Sequence, residues 1–139
     1  MYKLFKEKGL TERIVYIGSG KFGFSAKAAM AFAMGVDCIN VAREAMMNIG
    51  CILAQVCHTN RYPTGIVMQK KWTQNGINIP LKSERLAQYF KTFRKELIEN
   101  THAAGYEHSC EFTMNDIDVN VDDKNLSEQL DKTYMYTKN

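Results

Sequence analysis

The sequence predicts an α/β fold with parallel strands, because helix-like and strand-like segments alternate through most of the chain. Two short runs rich in β-branched and aromatic residues, 13–17 and 36–41, are typical of buried strands. Each run is followed by a turn and a segment of helical composition. The resulting order of helix, strand, helix, strand, helix is that of β/α units rather than of an antiparallel sheet.

The first half of this body supplies two helices and a strand. Residues 1–8 predict an amphipathic helix that Gly9 ends. The strand at 13–17 leads to a second helix, which Ser25 is expected to cap and which extends to about residue 34. Because that helix is almost wholly apolar, we expect it to be buried on most of its sides.

The second half of the body adds a strand and two helices. The strand at 36–41 leads into a short helix at 44–49 that Gly50 ends. Further along, Ser83 is expected to cap an amphipathic helix whose apolar side chains recur at helical spacing. These side chains are Leu86, Tyr89, Phe90, Phe93 and Leu97. We expect this stripe to make core contacts.

Charge divides the chain into a basic body and an acidic tail. Up to residue 106 the chain holds 15 Lys and Arg against 7 Asp and Glu, and from residue 107 it holds 3 against 8. We therefore expect one domain over residues 1–105 and an acidic, loosely structured tail over residues 106–139. The basic balance suits an anionic ligand, but no recognisable nucleic-acid module accompanies it.

Composition also bears on the cellular setting. The apolar runs are too short to cross a bilayer, and the N-terminal residues are too charged for the core of a signal peptide. A cytoplasmic protein is therefore the expectation. In that setting its four cysteines are expected to be free thiols or ligands rather than disulfides.

A glycine turn, GSGKFG at residues 18–23, joins the first strand to the second helix and is typical of phosphate binding. As a dinucleotide fingerprint it would face a pyrophosphate, and Glu44, 21 residues after Gly23, would bind a ribose hydroxyl. This pattern gives one candidate function, a small Rossmann-like nucleotide-binding module.

The same turn has a second interpretation on a (β/α)8 barrel, in which phosphate binds the loops after strands seven and eight. Ser19, Gly20 and Lys21 would then end one strand, and Ala42 and Arg43 would end the next. Backbone N–H groups of the first loop and the Arg43 guanidinium would together hold the phosphate.

The most specific pattern in the chain is the stretch CILAQVCHTNRYPTG at residues 51–65. It resembles the iron–sulfur segment of the FMN-dependent glutamate synthase family, in which Cys-x5-Cys-His-(Ser/Thr)-x2-Cys-Pro-x-Gly binds a three-iron, four-sulfur (3Fe-4S) cluster. The likeness continues upstream through IGSGK at 17–21 and NVAREAM at 40–46, and downstream through QKKW at 69–72. It covers roughly residues 1–110.

The resemblance implies an oxidoreductase of glutamate biosynthesis. Members of the family are (β/α)8 (TIM) barrels that use FMN and the cluster to make glutamate from 2-oxoglutarate and ammonia. Elsewhere in the family an amidotransferase domain supplies the ammonia from glutamine. By this resemblance the chain holds the last two β/α units of the barrel, followed by a C-terminal amphipathic helix and the acidic tail.

The resemblance also implies which residues bind the flavin. Ser19, Gly20 and Lys21 would lie on the flavin-phosphate loop after strand seven. Ala42 and Arg43 would lie on the loop after strand eight. Gly23 would then belong to the entry of the following helix, and no catalytic residue is assigned.

The cluster segment departs from the family pattern at one position. By resemblance Cys51 and Cys57 take the first two cluster positions, but Tyr62 stands where the third cysteine belongs. Iron–sulfur clusters are held by thiolates, and a phenol with a pKa of about 10 is a poor replacement. We therefore expect no normal cluster to assemble.

The chain also has no counterpart of strands one to six of the barrel, so most of the flavin-ring and substrate environment is missing from it. We expect a fragment of a glutamate synthase-like enzyme that is inactive in isolation. A partner chain supplying the rest of the barrel, or a homo-oligomer, would complete it. The alternatives are the Rossmann-like module and a non-catalytic interaction element that presents unpaired strands to a partner.

Overall fold

Two parallel strands and the helices that follow them form the body of the chain. The computed structural model describes residues 2–120 and 127–135. Strand β1 (Ile17–Ser19) pairs in parallel with β2 (Cys38–Asn40), with Ile17 opposite Cys38. Helix α2 (Ser25–Ala33) connects the two strands, and α3 (Arg43–Asn48) follows the second. The predicted parallel pairing is therefore confirmed, while the larger barrel stays a prediction.

The first strand is shorter than the sequence predicts and starts later. Arg13, the first residue of the predicted strand, instead ends a 3-10 helix, Thr11–Arg13. At Tyr16 the backbone N–H donates to the Asp37 carboxylate at 2.7 Å, so this group does not join a strand ladder. Helix α1 (Tyr2–Glu7) covers this region, with the Tyr2 ring 5.2 Å from the ring of Tyr16.

Helix α2 is the most deeply buried element of the body. Its side chains at Ala28, Ala31 and Ala33 are at most 2% exposed, which confirms the expected burial. The N-cap is Phe24, in extended conformation and without a side-chain hydrogen bond, and Ser25 is the first helical residue. The prediction that Ser25 caps the helix is therefore wrong. Because the helix surface is made of small side chains, another helix can approach it closely.

That other helix is α5 (Ile79–Ala103), which packs against both α2 and α3. Its N-cap lies five residues before the predicted cap Ser83, because Asn78 caps the helix and accepts a hydrogen bond from the Leu81 N–H at 3.1 Å. The Ser83 hydroxyl instead donates back to carbonyls of the preceding turn, as serine does inside a helix. A short helix α4 (Lys71–Asn75) precedes α5.

The described residues after α5, where the sequence predicts a loosely structured tail, include short helices and strands. Two 3-10 helices, Ser109–Glu111 and Met114–Asp116, each carry a capping box. Strands β3 (Asp118–Asn120) and β4 (Ser127–Gln129) pair antiparallel, and α6 (Leu130–Tyr134) follows. The apolar side chains of this segment that lie in the core are Phe112, Met114 and Leu130. Tail residues 121–126 and 136–139 lie outside the described residues.

A helix that crosses a bilayer must be both long and apolar. Within residues 2–120 and 127–135, no helix is both long and apolar enough to cross a membrane.

Asn78→Ala tests where α5 begins. Loss of the cap should reduce the free energy of unfolding by about 1 kcal/mol, measured by urea denaturation. Ser83→Ala is the matched control and should change it by less than about 0.5 kcal/mol, since that hydroxyl lies inside the helix. A larger loss at Ser83 than at Asn78 would contradict this start of the helix.

Asp116 gives the region after α5 a dependence on pH. Burial raises the pKa of Asp116, but hydrogen bonds from the Thr113 N–H, the Thr113 hydroxyl and the Tyr106 hydroxyl outweigh burial and hold the pKa below 3.8. Because the folded-state pKa is lowered, the stabilisation is fully present above the unfolded pKa and is lost as pH falls through the folded one.

Asp116→Asn should therefore lose less stability than wild type when the pH is lowered from about 7 to about 3, a window set by the carboxyl pKa. Urea denaturation at the two pH values measures this difference. Asp118→Asn, an exposed neighbour on β3, should behave like wild type. Equal acid losses in wild type and Asp116→Asn would show that these hydrogen bonds do not stabilise the fold.

Candidate functional site

The glycine turn after β1 uses backbone conformations that turn the chain sharply into α2. Gly20 has φ +146°, and a side chain there would meet open space. Lys21, although not glycine, has φ +63°. Left-handed conformations are uncommon for residues with a side chain and are tolerated where the surrounding structure fixes them. Gly20 is thus required by its backbone conformation.

Gly23 is required for a different reason, because two other helices approach it. A Cβ atom at this position would collide with the Glu44 side chain from α3 and the Tyr89 hydroxyl from α5. The Tyr89 hydroxyl donates to the Gly23 carbonyl at 2.9 Å. Gly23 therefore marks the point where the entry of α2, the first turn of α3 and the middle of α5 meet.

A cavity of about 520 Å³ opens beside this meeting point. Three cationic side chains line it: Lys21 from the loop after β1, Lys27 from the first turn of α2, and Arg43 from the start of α3. Lys27 Nζ also lies 5.8 Å from the centre of the Phe24 ring. The cavity lies beyond the carboxyl ends of both parallel strands, where ligands bind in open α/β sheets.

The structure brings together two of the residues that the sequence nominates for phosphate. Lys21 and Arg43 line the same cavity, whereas Ser19, Gly20 and Ala42 are exposed neighbours in the chain that do not line it. All five assignments stay predictions.

Sequence reasoning missed Lys27 and Tyr89 as lining residues. The signal for Lys27 was its place in the first turn after the glycine loop. Tyr89 was assigned to a core stripe by its helical spacing, and that stripe gave no sign that a hydroxyl reaches the loop.

Tyr89 and Glu44 form the inner wall of the cavity. Burial raises the pKa of the Tyr89 phenol, and the charge on Glu44 raises it further, so the phenol stays protonated and able to donate at neutral pH. Glu44 is 7% exposed, and its Oε2 atom has no hydrogen-bond partner among the described residues. A carboxylate closed off in this way is poorly placed for the ribose contact that the Rossmann alternative requires.

The cysteine segment follows α3 in the chain, and its Leu53 also lines the cavity. Cys51 follows Gly50 at the end of that helix, and Cys57 begins a 3-10 helix, Cys57–Thr59. Tyr62 is 1% exposed. Its hydroxyl lies 2.9 Å from Cys51 Sγ and accepts a hydrogen bond from the backbone N–H of the next residue, Ile52, at 2.7 Å.

This arrangement does not fit an iron–sulfur cluster. In the described part of the chain, no three His, Cys, Asp or Glu side chains are grouped so that they could hold a metal ion. Cys57 is exposed, and the Cys51 sulfur already contacts a neutral phenol. Burial, followed by the hydrogen bond to Cys51, raises the pKa of Tyr62 above 10. The phenol is therefore far from the ionised form that would ligate iron at neutral pH.

Comparison with known proteins gives one family match. The family model described as a conserved region in glutamate synthase matches residues 1–107. No solved structure gives a significant match.

Several characterised proteins are similar over most of the chain. The glutamate synthase large subunit-like protein YerD of Bacillus subtilis is 34% identical over 110 residues, which are 79% of this chain and 21% of that protein. The chloroplastic ferredoxin-dependent glutamate synthase of rice, Oryza sativa, is 32% identical over 101 residues, 73% of this chain and 6% of the rice protein. An archaeal NADPH glutamate synthase of Archaeoglobus fulgidus is 27% identical over 68% of this chain and 18% of its own length. The chain therefore spans about a fifth of these proteins' length or less.

Gly23→Ala tests whether the cavity depends on close approach at residue 23. The added methyl group must displace Glu44 or Tyr89, so the free energy of unfolding should fall by about 1–3 kcal/mol. Gly76→Ala is the control, because a Cβ there meets only Thr73 O at 3.4 Å and φ is ordinary. Urea denaturation of both variants measures the difference, and equal stability of the two would refute the close approach.

Proposed function

The chain belongs to the glutamate synthase family, and we propose that it forms the FMN-phosphate end of a glutamate synthase-like oxidoreductase of glutamate biosynthesis. One observation carries this proposal. Lys21 and Arg43, which follow two neighbouring parallel strands, line one cavity together with Lys27.

The charges of the cavity suit a phosphate monoester. An Arg guanidinium binds phosphate through paired, charge-assisted hydrogen bonds, and lysines add positive charge to the same anion. The nine-residue helix α2 begins beside the cavity, so its N-terminal partial positive charge adds to that of the side chains. Glu44 is the one acidic lining residue, and its carboxylate is turned into the protein rather than exposed.

In this proposal the chain's own residues hold and orient the cofactor. Arg43, Lys21 and Lys27 bind the phosphate, and Tyr89 keeps the loop around Gly23 in place through its hydrogen bond to the carbonyl. When bound, FMN supplies the electron-transfer chemistry, which the protein controls by holding the flavin against its substrate. The substrates of the whole enzyme are 2-oxoglutarate and glutamine or ammonia.

The flavin ring and the substrates would bind in the rest of the barrel, which this chain does not supply. Val15, Ile17 and Phe24 are each more than 60% exposed beside the two-stranded sheet. Unpaired strand edges with exposed apolar side chains favour pairing with further strands. We propose that a further polypeptide carrying the preceding β/α units covers this surface, and that the chain alone is inactive. A second copy of the chain is the competing occupant.

FMN titration of the full chain, followed by quenching of flavin fluorescence, tests the phosphate site. Arg43→Ala and Lys21→Ala should each weaken FMN binding by about tenfold or more, because each removes a charge-assisted bond of about 1.5–3 kcal/mol. Lys132→Ala, which removes an exposed lysine of α6 that does not line the cavity, is the control. The effect should shrink as salt is added, since screening weakens exposed charges.

Riboflavin, which lacks the phosphate, provides the decisive comparison. It should bind more weakly than FMN to wild type and should not respond to Arg43→Ala. Equal binding of the two flavins would contradict a phosphate anchor. Binding of NAD that is lost in Glu44→Ala would instead favour the Rossmann-like module.

A further inference from the structure

Residues 51–68 have little regular structure and several unfavourable backbone conformations. Leu53, Gln55 and Asn60 all have φ between +55° and +57°, the left-handed region. Side chains make this region costly, and it persists only where other contacts fix the chain. Apart from the 3-10 turn Cys57–Thr59, no helix or strand stabilises this segment. Its conformation therefore depends on an anchor of another kind.

Tyr62 is the side chain that the segment surrounds. Among the fully buried side chains of the described residues, Tyr62 has the largest volume, and it is 1% exposed. Its backbone N–H donates to Met68 Sδ at 2.9 Å, which ties the end of the segment to its middle. Its hydroxyl reaches back to Cys51 and Ile52, which ties the middle to the beginning. One residue thus connects the whole segment.

The hydrogen-bonding capacity of the phenol matches these partners. A phenol offers one donor and two acceptor sites. The Ile52 N–H fills one acceptor site, and the phenol proton is then available to the sulfur of Cys51. Because both contacts are hydrogen bonds made by a buried side chain, they form without any ion.

The phenol also occupies the side of Cys51 that a metal would need. An iron atom bound to this sulfur would have to displace a hydroxyl lying 2.9 Å away, which would remove the acceptor of the Ile52 N–H. Losing a hydrogen-bond partner is unfavourable where water does not replace it. The residue at the third ligand position of the family pattern therefore opposes metal binding at the first.

We propose that Tyr62 anchors residues 51–68 without metal, and that its phenol takes over the structural role of the third cluster ligand. The segment is then an iron-independent element in which Cys51 is a hydrogen-bond partner rather than a ligand. This inference does not require flavin binding, because it rests on contacts of Tyr62, which does not line the cavity at Lys21 and Arg43; Leu53 is the residue of this segment that does.

The first test is iron loading of the full wild-type chain. After anaerobic incubation with ferrous iron and sulfide, followed by desalting, the protein should retain no stoichiometric iron or sulfide and no visible charge-transfer absorption. Its Tm should be the same with iron, with chelator and with neither. Retention of about three iron atoms per chain, the content of the cluster in the family pattern, would overturn the proposal. FMN titration of the same samples reports on the flavin site separately.

The second test is Tyr62→Phe, which keeps the ring and removes the hydroxyl. The Tm should fall by about 5 °C or more, and exchange of the Ile52 amide should accelerate by about tenfold or more, because its acceptor is gone. Tyr134→Phe, which removes an exposed phenol of α6, is the control and should change neither value. An unchanged Ile52 exchange rate in Tyr62→Phe would show that the phenol does not anchor the segment.

Tyr62→Cys restores the thiolate of the family pattern. It should take up iron and sulfide under conditions in which wild type does not. Equal uptake by the two proteins would contradict the claim that the phenol decides the metal content of this segment.

Discussion

The close approach at Gly23 is the constraint on which the rest of the candidate site depends. Three helices meet there, and any side chain would force Glu44 and Tyr89 apart. Because the strands are only three residues long, the sheet alone offers little to fix the loops that follow it. The hydrogen bond from Tyr89 to the Gly23 carbonyl joins residues 66 positions apart in the chain. The long helix α5 thereby serves as the support that holds the glycine loop beside the start of α3.

Sequence reasoning succeeded where one residue type and one local pattern decide the outcome. The apolar run of α2 predicted its burial, and the alternation of elements predicted the parallel pairing of β1 with β2. It failed where two residues compete for one local role. Asn and Ser both cap helices well, so Asn78 and Ser83 were both possible N-caps. Asn78 is the N-cap because proline is tolerated in the first turn of a helix, so Pro80 does not prevent the helix from beginning before Ser83.

The parts of the site that sequence could not predict come from contacts between distant elements. Lys21 and Arg43 were nominated from local patterns, whereas Tyr89 joins them only because α5 packs across α2 and α3. The order after α5 has the same origin. Its acidic composition suggested a loose tail, but Phe112 packs with Ala29 and Ala33 of α2, and acidic side chains cap the 3-10 turns. The composition of a segment gives its net charge, but it does not identify the few apolar residues that reach the core.

The two candidate sites differ in which contacts hold them together. The cavity is lined by Gly23 at the entry of α2, Arg43 of α3 and Tyr89 of α5, so its shape depends on how these three helices pack. In the cysteine segment, Tyr62 joins the two ends of residues 51–68 through its contacts with Cys51, Ile52 and Met68. Of the residues that line the cavity at Lys21 and Arg43, Leu53 belongs to this segment. A change in what anchors the segment would therefore reach the cavity through Leu53.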